Sequence, residues 1–327
     1  MAGRIGLLTE RGISMKKVCP VFLALLGGAV LMALEGCAVS LGEDKVGRGA
    51  FASTATQFAL EQEKDSSELS QIPIEDNISA GFTVGQILEG SEGRIHYSYY
   101  LPREYDGSRE YPMMVVMPGY DRMWFGQESQ GSNLDWNGFR VWTQMEEDMI
   151  VVSAQLTDWG ERSARQAIEL TEYFLECFSV DPDRVYAAGY SAGGETMSRA
   201  VAMRPDIYAS YLHGSSQWDG EYAPIAENAV AVYIFMAQSD EYYGSQRAQD
   251  AYDGLYEAYR NEGWTDGQIN RVLQLEIPDD AYFNERGIYG NYHGGGNVLF
   301  ENASILEWVV SHSKSYPDTM ILDPNGI

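Results

Sequence analysis

The stretch RVYAAGYSAGGETMSRAVAMR, residues 184–204, carries an apolar run straight into a helix-like run with a single serine at the junction. A strand that turns directly into a helix must redirect its backbone within two or three residues, and crowding there leaves no space for a Cβ on the flanking positions. Gly189 and Gly193 sit two before and two after Ser191, where that constraint falls. Such a turn lifts the hydroxyl above the edge of a sheet and aims it at a helix N-terminus, whose N–H groups favour developing negative charge. Ser191 therefore reads as a nucleophile. The competing reading is a structural serine in a glycine-rich turn.

This junction requires a layered α/β domain, and the rest of the chain supplies the parts. Strand-like runs fall at Ile95–Leu101, Met113–Met117, Met149–Ala154, Arg184–Gly189, Ala209–His213, Val230–Ala237 and Arg271–Glu276. Helical patterns lie between them: Ala164, Ile168, Leu175 and Phe178 share one face from about Ser163, and a second helix runs from Ser245 through Arg260. Alternation of this kind predicts one α/β domain with a mostly parallel central sheet flanked by helices. At 45% hydrophobic and 12% aromatic residues, the chain has ample material for that core.

The segment DPDRVYAAGYSAGG, with YSYYLPREYDGSREYPMMVVMPGY upstream, resembles the secreted α/β-hydrolase esterases of the polyhydroxybutyrate depolymerase and feruloyl esterase type, over roughly residues 94–308. The resemblance implies an α/β-hydrolase fold and a serine esterase that works through an acyl-enzyme without a cofactor. Its substrate would be a small-molecule or polymer ester, carbohydrate-linked esters included. In that family a His-Gly pair precedes the oxyanion loop, whereas this chain has Pro118 and Gly119.

A serine hydroxyl needs a base, and this fold supplies its partners in the order Ser, then Asp or Glu, then His. Of the four histidines, His96 and His213 precede any plausible acid, leaving His293 in the loop GNYHGGGN and His312 near the end of a helical run. The loop position favours His293 as base. Asp240 stands at the exit of the run AVAVYIFMA and matches the aspartate of the resembled family, with Glu241 and Asp219 as alternatives. The resulting expectation is a Ser191–Asp240–His293 triad, with the backbone N–H groups of Ala192 and Tyr120 forming the oxyanion hole. His213, Trp159 and Trp218 are candidate substrate-binding residues beside Trp124, Phe125 and Trp136, and each has a structural alternative in the core. No metal-ligand spacing, P-loop or dinucleotide fingerprint stands out.

The N-terminal part reads as an address. Lys16 and Lys17 precede the apolar run VCPVFLALLGGAVLMAL, and LEGC ends at Cys37. This describes an export signal over 1–36 with a lipobox-like exit, although Glu35 stands where a small uncharged residue is usual. Lipidation of Cys37, cleavage without lipid and an uncleaved anchor are the readings, and all put the body outside the cytoplasm. The start codon is Met1 or Met15. Residues 37–76 read as a flexible linker and 77–327 as the catalytic domain. Cys177 is then the one cysteine of the body, which leaves no disulfide framework. A formal charge of −26 repels nucleic acid. Two rivals to the esterase stay open: a serine peptidase of the same fold and a non-catalytic surface binding module.

Overall fold

The structure is a computed structural model that describes residues 81–122 and 133–315, within the compact unit Ser66–Ile327. The signal, the linker and Cys37, as well as Trp124 and Phe125, lie outside those residues.

The run YPMMVVM is buried at every position, the mark of a strand covered on both faces. It is one of eight strands: β1 (Phe82–Gly90), β2 (Gly93–Tyr100), β3 (Tyr111–Met117), β4 (Ile150–Gln155), β5 (Val180–Tyr190), β6 (Ser210–Gly214), β7 (Ala231–Phe235) and β8 (Leu273–Glu276). They form one sheet in the order β1-β2-β4-β3-β5-β6-β7-β8. β2 is antiparallel to both β1 and β4, and every pair from β4 onward is parallel.

Parallel neighbours need crossovers, and helices supply them. α1 (Glu161–Cys177) links β4 to β5, α2 (Ala192–Met203) links β5 to β6, and α3 (Gln246–Asn261) with α4 (Asp266–Val272) links β7 to β8. α5 (Ala303–Val310) closes the described chain against β5, β6 and β7. Met114, Val116, Tyr186, Ala188 and Leu212 share a buried cluster with Leu306 and Val309 of α5, while α2 packs on β3, β5 and β6.

The α/β expectation holds, with three adjustments. β1 has no counterpart among the strand-like runs, because a bulge between Thr83 and Gln86, with Gly85 at φ 66°, breaks the alternation that marks a strand. β5 starts at Val180, so DPD belongs to the strand. Arg271 and Val272 end α4 instead of opening β8, because the capping box of Thr265 and Gln268 starts a helix just upstream.

The topology also selects a location. From β3 the chain passes to β4 on one side and then to β5 on the other, so the carboxyl ends of β3 and β5 flank a switch point, where α/β sheets open a crevice. Ser191 follows β5 directly, and Tyr120 follows β3 by three residues.

Candidate active site

Ser191 adopts φ 54° and ψ −126°, a backbone state that costs a residue with a Cβ about 1–3 kcal/mol. Its surroundings enforce it. Ser191 N–H donates to the Gly214 carbonyl at 2.9 Å, and its own carbonyl accepts from Gly194 N–H and the Ser216 hydroxyl, each at 2.7 Å. The flanking glycines are steric necessities: a Cβ on Gly193 would lie 2.2 Å from the Met117 carbonyl oxygen, and one on Gly189 would lie 2.6 Å from that of Gly193. The first contact also shows how tightly the elbow sits against the end of β3.

Ser191 Oγ lies 3.0 Å from His293 Nε2, and His293 Nδ1 lies 2.8 Å from Asp240 Oδ2. All three side chains belong to buried residues. Asp240 Oδ1 accepts the backbone N–H groups of Tyr242 and Tyr243 at 3.0 and 2.8 Å. Burial alone would raise the Asp240 carboxyl, but the His293 bond and charge together with those N–H groups outweigh it and hold the carboxyl below its usual range. The carboxylate is thus ionised and faces Nδ1, which fixes a tautomer with Nδ1–H toward Asp240 and a lone pair on Nε2 toward Ser191.

His293 sits on the one-turn helix Tyr292–Gly295, after Asn291 in the left-handed region at φ 45°. The turn is tied down from two sides. The Glu241 carboxylate accepts the backbone N–H groups of Tyr292 and His293, both at 2.9 Å, and the Tyr190 hydroxyl donates to the His293 carbonyl.

The alternatives weighed from sequence are placed elsewhere. The Glu241 carboxylate serves that backbone, Asp219 pairs with Arg199 at 2.8 Å, and His312 Nδ1 donates to the Trp308 carbonyl at 2.8 Å. His213 is corrected as a substrate-binding residue. It is fully buried, donates from Nε2 to the Ser216 carbonyl at 3.1 Å, and has Nδ1 2.8 Å from the Tyr211 hydroxyl. Burial lowers it to about 4, so it is neutral near pH 7 and presents no polar atom to a ligand.

Ala192 opens α2 directly after Ser191, and Tyr120 opens a short 3-10 turn beyond Gly119. The contact between Gly193 and the Met117 and Pro118 carbonyls brings these two stretches together. Trp159 is exposed at the rim, with its ring edge on Tyr120 at 5.4 Å. Trp218 is half-buried, donates from Nε1 to the Gly220 carbonyl at 2.9 Å, and packs on His213 and Tyr211. Trp136 packs into the core against Phe139, Tyr190 and Phe300.

Sequence reading passed over three residues around the triad. Tyr242 is exposed, with its ring 5.3 Å from that of His293, and Tyr243 packs its ring on the same imidazole at 5.6 Å. The third, Glu195, is a buried carboxylate on the first turn of α2. An acid in the otherwise small and apolar run SAGGETM was the one sequence signal for it. Among the described residues, no group of His, Cys, Asp or Glu is arranged to hold a metal ion.

Comparison with known proteins places this geometry. Residues 153–264, about a third of the chain, match the prolyl oligopeptidase family; this stretch includes Ser191 and Asp240 and ends before His293. No curated protein matches. Among solved structures the chain is similar to a thermostable esterase, with 19% identity and a TM-score of 0.60, covering 72% of this chain and 64% of that one. It is also similar to a putative dipeptidyl aminopeptidase IV from Bacteroides ovatus (14%, 0.48, covering 71% and 36%) and to a feruloyl esterase module from Clostridium thermocellum complexed with sinapinate (15%, 0.49, covering 73% and 93%). The chain thus spans less than two thirds of the first two relatives. Its fold is that of the α/β-hydrolases.

Proposed function

We propose that the protein is a serine hydrolase whose reaction is cleavage of carboxylic esters through an acyl-enzyme. The observation that carries this reading is the continuous chain from Asp240 through His293 to a serine held at positive φ on a strand-to-helix elbow. His293 Nε2 takes the Ser191 proton as Oγ attacks the ester carbonyl carbon. The N–H groups of Ala192 and Tyr120 receive the resulting oxyanion. His293 then returns the proton to the departing alcohol, leaving the acyl group on Ser191. Water, activated by the same imidazole, releases the acid and restores the serine. Asp240 orients the imidazole throughout and stabilises its charged form.

The choice of ester over amide rests on the resemblance of DPDRVYAAGYSAGG and its upstream segment to esterases. One observation favours a second reading, a serine peptidase: the match of residues 153–264 to the prolyl oligopeptidase family. Both use the same triad, so substrates decide between them. Full-length protein assayed on short-chain p-nitrophenyl esters and on aminoacyl p-nitroanilides should turn over the esters, with the activity abolished in Ser191→Ala. Turnover of the anilides alone would move the assignment to the peptidase. Absence of Ser191-dependent turnover of either would leave a binding module.

The same reading places the enzyme outside the cytoplasm on a lipid attached to Cys37, supported by the basic pair, the apolar run and LEGC. Cys37→Ala should then lose incorporation of labelled fatty acid. Equal labelling in the variant would remove the anchor.

A further inference from the structure

Three elements converge on Ser191, and one contact among them plays no part in the triad. The Tyr243 phenol, on the loop after β7 that carries Asp240, donates to Glu195 Oε1, on the first turn of the helix that follows the nucleophile. Tyr243 is already engaged twice with the catalytic groups: its backbone N–H donates to Asp240 Oδ1 at 2.8 Å, and its ring meets the His293 imidazole edge-on at 5.6 Å. One residue therefore touches the acid through its backbone, the base through its ring and the nucleophile helix through its hydroxyl.

Such an arrangement does mechanical work. The triad spans three separate chain segments, and the Ser191–His293 distance depends on how the loop after β7 sits against α2. A partly buried hydrogen bond between that loop and that helix sets the separation directly. From the resolved geometry we infer that Glu195 and Tyr243 are a positioning pair that locks the acid-bearing loop to the nucleophile helix and so holds Ser191 and His293 in reacting geometry. The inference rests on the triad proposed above.

The surroundings agree. Burial raises the Glu195 carboxyl, and the Tyr243 bond opposes that shift. Burial and the neighbouring Glu195 push the Tyr243 phenol far above the usual phenol range, so its proton stays in place for the bond, and the Ser191 hydroxyl also acts on this phenol. Asp219, held by Arg199 at 2.8 Å and by Gln217 at 3.2 Å, interacts with Glu195 and adds to the upward shift of its carboxyl.

The test uses the full chain with four variants: Tyr243→Phe, Glu195→Ala, Glu195→Gln and the double Tyr243→Phe/Glu195→Ala. Tyr243→Phe keeps the ring on His293 and the N–H on Asp240 but takes the phenol from both Glu195 and Ser191, so Glu195→Ala, which leaves the phenol in place, removes the lock alone. Steady-state kinetics on p-nitrophenyl acetate and inactivation rates with a fluorophosphonate should agree. Tyr243→Phe and Glu195→Ala should each lower kcat about tenfold with KM within about twofold, the size expected for one partly buried hydrogen bond. Glu195→Gln, whose amide oxygen still accepts the phenol, should stay within about threefold of wild type, and the double variant should be no worse than the poorer single one. Wild-type kcat in Tyr243→Phe, a loss confined to KM, or additive losses in the double variant would overturn the inference while the triad stands. A wild-type protein that no fluorophosphonate inactivates would overturn the triad and this inference together, so the two failures are distinguishable.

Discussion

A serine at φ 54° stays there because its neighbours leave no alternative, and the glycines beside it carry much of that constraint. Gly193→Ala would push a methyl group into the Met117 and Pro118 carbonyls, at 2.2 and 2.4 Å. Backbone cannot swing aside as a side chain does. The substitution should cost about 2–3 kcal/mol, seen as a thermal midpoint lower by roughly 5–10 °C, and should reduce kcat by parting the elbow from the end of β3. An unchanged melting curve would show that the elbow has slack. Asp240→Asn keeps the shape but loses the charge facing Nδ1, so kcat should fall by up to about four orders of magnitude. Because the folded Asp240 carboxyl is held below its usual range, its contribution to stability is present above the unfolded value of about 3.9 and is lost as pH falls through the lower folded value. The stability gap between wild type and Asp240→Asn should therefore narrow in chemical melts taken below about pH 4. A gap that widens there would contradict this account of the carboxylate.

At the scale of elements, the site is assembled from the ends of β3, β5 and β7 and from the turn carrying His293. The Glu241 carboxylate ties that turn to the loop after β7 through two backbone N–H groups. Glu241→Ala should loosen the imidazole and lower kcat about tenfold with little change in melting temperature, since an exposed side chain contributes little to global stability. A loss of stability with intact kcat would assign Glu241 to the fold instead. The sequence was informative wherever one segment held the whole pattern. The elbow is such a segment, with strand, glycine spacing and helix all inside DPDRVYAAGYSAGGETM. His293 is legible from chain order and the scarcity of histidines, and Asp240 from its place at the exit of AVAVYIFMA and the family resemblance; the structure brings both to Ser191. β1 escaped because its bulge cancels the two-residue period. Glu195 and Tyr243 were illegible as a pair, since they lie 48 residues apart and meet only once β5 and β7 flank β6. His213 misled because its place at the carboxyl end of β6 suits a pocket residue, while the bonds that bury it come from β6 itself and the loop beyond.

Across the molecule, buried polar groups and surface charge set how the fold responds to solution conditions. His213 is neutral and fully buried, with its titration lowered to about 4. Between there and the unfolded value of about 6.5, the unfolded chain takes up a proton that the folded one refuses, so stability is full above about pH 6.5 and falls toward pH 4. The loss is on the order of 3 kcal/mol, and His213→Gln should flatten that part of the stability–pH curve. A wild-type curve already flat from pH 7 to 5 would contradict the buried neutral histidine. The formal charge of −26 works the same way at longer range: carboxylates that repel one another are screened by salt, so the thermal midpoint should rise with ionic strength. Above both effects stands the chemistry assigned to one serine. The measurement that addresses it most directly is peptide mapping by mass spectrometry after the full chain is treated with a fluorophosphonate, in wild type, Ser191→Ala and His293→Ala. The account predicts a single adduct on the wild-type peptide containing Ser191, none in Ser191→Ala and severely slowed labelling in His293→Ala. An adduct on another residue, or equal labelling when His293 is removed, would contradict it.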